Sequence, residues 1–125
     1  MGYYFRAQLY MSADSPHYFA ASSALNHAGA NVEVKTLGEL RRRLDSAAIS
    51  APLGTIVRTE RVYRMTRGYE PDKPRSGSTD QEAILELVDK GAFYDPKTGK
   101  SRPPRWSKIT REQAFGTSRD RRRRR

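Results

Sequence analysis

The chain contains no cysteine, which excludes disulfides, zinc ribbons and thiol nucleophiles and fits a reducing compartment. Histidine occurs only twice, at His17 and His27. The pair shows no HxxxH or HExxH spacing, so a transition-metal site would need acidic ligands from elsewhere. Long apolar runs are missing as well. Residues 15–32 carry no formal charge, yet Pro16, Asn26, His27, Gly29 and several serines make that stretch unfit to cross a bilayer. The opening MGYYFRAQLY has neither the charged leader nor the apolar core of a secretory signal, and Arg6 stands where a myristoylation pattern wants Ser or Thr. The expectation is a soluble cytoplasmic protein, nuclear or virion-associated depending on its source. Negative charge is scarce too, with 14 Asp and Glu against 24 Lys and Arg in 125 residues. That balance disfavours an acidic DNA mimic and favours a polyanionic partner.

The charge is unevenly placed. Residues 1–50 and 51–100 each carry a net charge of +1, whereas residues 101–125 hold ten cations and two anions. This describes a nearly neutral domain with a cationic arm. One small core and one appendage suit a chain of this length.

Hydrophobic periodicity supplies the elements. Tyr3, Phe5, Ala7, Leu9 and Met11 alternate with Tyr4, Arg6, Gln8 and Tyr10, the pattern of a half-buried strand. Asp14-Ser15-Pro16 offers a cap, and Tyr18, Ala21, Leu25 and Ala28 recur at helical spacing before Gly29, predicting a helix over 16–28. Residues 31–35 alternate as a short strand. Thr36-Leu37-Gly38-Glu39 is a capping box opening a helix over 37–48 with Leu37, Leu40, Leu44 and Ala48 as its stripe. Residues 55–66 read as a strand and 68–78, with Pro71, Pro74 and Gly77, as an exposed loop. Ser78 or Thr79 with Gln81 or Glu82 suggests a capping box for a third helix carrying Ile84, Leu85 and Val88 and stopped by Gly91.

Beyond Phe93 the text turns to Asp95-Pro96-Lys97-Thr98-Gly99 and an extended Arg102-Pro103-Pro104-Arg105, with a short helix possible over 107–115. The element order allows a parallel sheet, but alternating strands imply that only one face is covered. The predicted fold is α/β: a two-layer sandwich of a small half-exposed sheet of about three strands with about three helices. A compact body is expected over 1–94 and a basic Pro/Arg-rich arm over 95–125, its last ten or so residues disordered when unbound.

No residue pattern supports a catalytic or cofactor assignment. Gly99-Lys100-Ser101 resembles the end of a phosphate-binding loop, but Tyr94 stands where that loop needs glycine and Pro103-Pro104 where it needs a helix. Asp14, Ser15 and His17 are close in sequence, yet the first two are better explained as helix caps. No metal or cofactor is expected. Arg119 and Arg121, Arg122, Arg123, Arg124 and Arg125 place six guanidiniums within seven residues, each shaped for bidentate phosphate contact. Upstream, Lys97, Lys100, Arg102, Arg105, Lys108 and Arg111 surround the single Trp106, as in binders of single strands. The competing role for Trp106 is a hydrophobic anchor on the body. A second candidate surface is the polar sheet face, with Tyr4, Arg6 and Tyr10 and, on a neighbouring strand, Arg58 and Arg64.

These features suggest a small non-enzymatic accessory protein that binds DNA or RNA through its arginine-rich arm. The alternative is an assembly or interaction module whose body binds protein, as a particle component or inhibitor of a larger machine. A metal-independent RNase using His17 or His27 is the third reading.

Overall fold

The computed structural model describes residues 2–64 and 78–115. The expected loop over 68–78 therefore lies outside the described residues except at Ser78, and so do the arginines 119 and 121–125.

Strand β1 (Gly2–Leu9) is followed by helices α1 (Tyr18–Ala28) and α2 (Leu37–Ala48). Strands β2 (Ile56–Arg64), β3 (Thr79–Asp89), β4 (Ala92–Asp95), β5 (Lys100–Arg102) and β6 (Arg105–Ile109) come next, and helix α3 (Arg111–Phe115) ends the described chain. The main sheet has the order β1-β2-β3-β6 and is antiparallel throughout, while β4 and β5 form a separate two-stranded hairpin. This is the two-layer α/β sandwich that the alternating strands imply. A covered face and a polar face fit antiparallel pairing.

β1 pairs with β2 without a break from Gly2↔Arg64 to Leu9↔Val57. Its odd residues face the helices. Ala7, Val57, Leu25, Ala30, Val34, Leu40, Leu44 and Ala47 form one buried cluster, and Ala24, Ala48, Ala51 and Leu87 a second. Trp106 packs against both. Many of these positions are alanines, which let helices approach the sheet closely and leave room for one large side chain from β6. Trp106 therefore takes the anchoring role. Truncating it should cost about 3 kcal/mol.

The helix α2 starts where its capping box puts it, with Thr36 Oγ1 accepting from the Glu39 N–H at 3.1 Å. The Glu39 carboxylate turns instead to Arg43 one helical turn on, at 3.4 Å. α1 begins at Tyr18 rather than 16. His17 occupies its N-cap without a side-chain bond, because Ser15 Oγ accepts from the His17 N–H and Ser12 Oγ from the Asp14 N–H in the turn before it.

Three element assignments are corrected. The strand expected over 31–35 reduces to a single bridge between Val34 and Phe5 on the outer edge of β1. The third helix is instead strand β3. Its apolar residues fall on both faces, Ile84 toward the polar side beside Arg58 and Leu85 toward the helices beside Val57, which blurs the alternation. The two acids at its start, within the stretch read as a helix cap, are held by arginines of the neighbouring strand, not by local amides: Asp80 by Arg61 and Glu82 by Arg58. Two irregularities, opposite Glu60 and near Val88, break the register further. Finally, the helix expected over 107–115 is confined to α3, and residues 105–109 form the edge strand. The boundary expected at 94 falls inside β4, and the chain beyond it supplies β5 and the fourth strand of the main sheet.

Gly91 makes the hairpin possible. Its φ is 75°, and a Cβ there would lie 2.3 Å from the Arg102 carbonyl oxygen and 2.7 Å from the Pro103 carbonyl carbon. Gly99 has φ 70° with nothing within 4 Å of a built Cβ. Gly99→Ala should therefore cost only the left-handed penalty of about 1–2 kcal/mol, while Gly91→Ala, which must also displace backbone, should cost clearly more in urea unfolding. Equal losses would show that close packing against 102–104 is unimportant.

Candidate functional site

Two surfaces carry chemistry, and the register decides what each has to offer. Parity in β1 and β2 puts Tyr4, Arg6 and Gln8 beside Val62, Glu60 and Arg58 on the face away from α1 and α2, with Arg64 opposite Gly2. The candidates Tyr4, Arg6, Arg58 and Arg64 thus share one side of the sheet. Tyr10 follows the strand, its N–H donating to the Ile56 carbonyl.

The charges on that face are internally matched. Glu60, with its side chain only 1 % exposed, lies between two guanidiniums. Arg6 Nε donates to Oε2 at 2.5 Å, and Arg58 Nη1 stands 2.8 Å from Oε1, off the axis a hydrogen bond requires. Arg58 also donates to Glu82, and Glu82 accepts from Arg111 as well, Nε to Oε1 at 3.0 Å. An alternating chain, Arg6–Glu60–Arg58–Glu82–Arg111, therefore crosses from β1 to α3. Arg64 pairs with Glu33 and lies 4.5 Å over the Tyr4 ring. Arg111 and Arg58, in this order, hold the Glu82 carboxyl below the usual range. Burial would lower Arg58, but the Glu82 hydrogen bond and the Glu60 charge outweigh it and raise it.

On the helix-facing side, past the end of the core, Arg61 forms a bidentate pair with Asp80 at 3.0 and 2.9 Å. Tyr63 donates to the same carboxylate at 2.6 Å. The guanidinium sits 4.8 Å from the Tyr3 ring centre and 5.0 Å from that of Tyr63. Arg61 and then Tyr63 pull the Asp80 carboxyl down, and Asp80 in turn pushes the Tyr63 hydroxyl up.

The second surface is the β4–β5 hairpin with β6. Seven cations, Lys90, Lys97, Lys100, Arg102, Arg105, Lys108 and Arg111, stand here against the one acid Asp95 between 90 and 111. Arg102 is paired with Asp89 and Arg111 with Glu82. Lys90, Lys97, Lys100, Arg105 and Lys108 make no ion pair among the described residues. The Gly91 N–H and then Arg102 hold Asp89 below its ordinary range. Trp106, central to the expected stacking site, faces the core from β6, and its Nε1–H is buried without a partner among the described residues. Left unmade, such a hydrogen bond costs about 1–3 kcal/mol.

Between α2 and the β3–β6 half of the sheet lies a cavity of about 530 Å³. Leu37, Leu40 and Leu44 line it from α2, Phe5 from β1, Ala83 and Leu85 from β3 and Trp106 from β6, with the charged Arg41, Asp45, Glu60, Arg105 and Lys108 also in its wall. Partial burial raises the Asp45 carboxyl, and Arg41 opposes this. The β3 irregularity opens onto the cavity. Gln81 and Glu82 together stand opposite Glu60, and Gln81, another lining residue, takes φ 53°. Neither the cavity nor the Glu60 pairing had a local signal in the sequence; only a positive-φ residue betrays the bulge, and that is invisible without coordinates.

His17 and His27 sit at opposite ends of α1, about 15 Å apart along its axis. His27 Nδ1 is 2.8 Å from the Ser23 carbonyl oxygen. Among the described residues no group of three or more His, Asp or Glu is placed to hold a metal ion, and no helix is long and apolar enough to cross a membrane. The chain matches no family model, no curated protein and no solved structure.

The lowered carboxyls give a pH test. Asp80, Glu82 and Asp89 contribute stability above their unfolded values near 4, and it is lost as pH falls through the lower folded values. The urea midpoint should therefore drop from pH 5 toward pH 2.5. The double variant Asp80→Asn, Glu82→Gln should start lower at pH 7 and show a flatter decline. A separate variant, Glu60→Gln, should cost about 3 kcal/mol at pH 7 because it leaves two partly buried guanidiniums short of charge.

Proposed function

We propose that this protein is a non-enzymatic nucleic-acid-binding accessory protein whose contacts with phosphate come from the hairpin, strand β6 and the arginines 119 and 121–125. One observation carries this reading. The arginines of the sheet face are committed to Glu60, Glu82 and Glu33, whereas Lys90, Lys97, Lys100, Arg105 and Lys108 have no such partner among the described residues. Cations already neutralised inside a fold gain little from a phosphate, since each new contact must first break an existing pair. Unpaired cations on a hairpin and an edge strand carry no such cost, and the arginine run extends the same sign of charge along the chain.

The reading moves the candidate contact surface away from Tyr4, Arg6, Arg58 and Arg64 and toward Arg105 and Lys108. It also removes Trp106 as a base-stacking platform, because that ring is occupied by the core. Binding then depends on charge more than on base identity. A second reading, docking to a protein, is favoured by the large apolar side chains left at the surface, Phe19 at 83 % exposure and Tyr94 at 65 %.

Anisotropy titrations of duplex DNA, single-stranded DNA and RNA across a range of salt test the proposal. The expected log–log salt slope on duplex DNA is roughly −4 to −5, from about half of the ten cations in 101–125 meeting phosphate. Changing arginines 119 and 121–125 to Gln should flatten it by a few units, with similar loss on every sequence. Changing Lys97, Lys100, Arg105 and Lys108 to Gln should flatten it further, and Arg64→Gln should not. An unchanged slope in the first two variants would refute the proposal and favour a protein partner.

A further inference from the structure

We infer that the cavity between α2 and β6 is a binding site for a small amphipathic anion, a carboxylate carrying an aliphatic body. The volume, about 530 Å³, lies in the range of small-molecule sites. Its aliphatic wall, from Leu40 and Leu44 on one side to Ala83 and Leu85 on the other, offers a hydrocarbon body an environment without hydrogen-bonding demands. Its charged lining is Arg41, Arg105 and Lys108 against Asp45 and Glu60, and since Glu60 is already held by Arg6 and Arg58 from the other side of the sheet, the balance left to a ligand is cationic. Lys108 makes no ion pair among the described residues and Arg105 has only the more distant charge of Asp89 across the strands, so a carboxylate would bring a close counter-charge to both. A neutral or cationic ligand would not.

The backbone points to the same place. Gln81 holds a left-handed conformation that a glycine would adopt without penalty, in a bulge that lines this cavity. Bulges and strained non-glycine residues collect beside ligand sites, where they re-aim side chains at the cost of local stability.

Trp106 is the only tryptophan in the chain and lines the cavity, so its fluorescence reports occupancy directly. The full-length protein would be titrated with decanoate and with decanol, followed by Trp106 emission and by calorimetry. A saturable change with decanoate, at least tenfold tighter than with decanol, is expected. The double variant Arg105→Gln, Lys108→Gln should lose about tenfold for decanoate and little for decanol. Ala83→Leu, which fills the wall, should weaken both, with circular dichroism reporting whether it folds. No saturable signal with decanoate up to millimolar concentration would overturn the inference, as would equal affinity for the alcohol; both are read on the unaltered protein.

Discussion

A buried carboxylate needs positive charge beside it, and the polar half of this sheet is arranged around that need. Glu60 is almost wholly removed from water, and an uncompensated charge there would cost several kcal/mol. Arg6 from the first strand and Arg58 from its own strand meet it, and Arg58 then draws in Glu82, which draws in Arg111. Each link fixes one more element relative to the last. The chain of pairs therefore joins β1, β2, β3 and the start of α3 on the side of the sheet opposite the hydrophobic core. It also consumes the arginines that would otherwise make that face attractive to phosphate.

The core on the other side solves a different problem. A wall rich in alanine brings α1 and α2 close to the sheet, but alanines alone bury little area per residue. Trp106 makes up the deficit by packing against both clusters at once, and this draws β6 into the main sheet. The basic segment is consequently anchored at its middle by a ring in the core, while its lysines and arginines remain at the surface. Where α2 stops covering the sheet, the same geometry leaves the cavity.

The elements that were legible in the sequence are those whose signals are local. β1 shows strict alternation, and α2 opens on a capping box whose hydroxyl bond forms as the pattern implies. Even the shared face of Tyr4, Arg6, Arg58 and Arg64 followed from parity once two strands were recognised. β3 was not legible, because Ile84 and Leu85 are both needed, one on each face, and because Asp80 and Glu82 answer to arginines far away in sequence. Two bulges then remove what periodicity was left. β6 was hidden by the prolines before it and by a tryptophan flanked with cations, a composition equally suited to an exposed strand of basic chain. The Glu60 pairing joins residues 54 positions apart, and no local rule reaches that far.

That separation has a kinetic side. β1 finds its partner only across the whole α1–α2 hairpin, so the loop-closure entropy must be met before any β1–β2 contact rewards it. The helices, by contrast, are built from contacts within a turn and form in about a microsecond or less. The order of assembly follows: a helical pair first, then a sheet whose first strand was made earliest by the ribosome and whose edge strand β6 was made late. Chains dominated by such distant antiparallel pairings fold in milliseconds to seconds, not microseconds. During that interval β1 waits with a free edge, and the bridge from Val34, one residue wide, is the only described contact that shields its outer side.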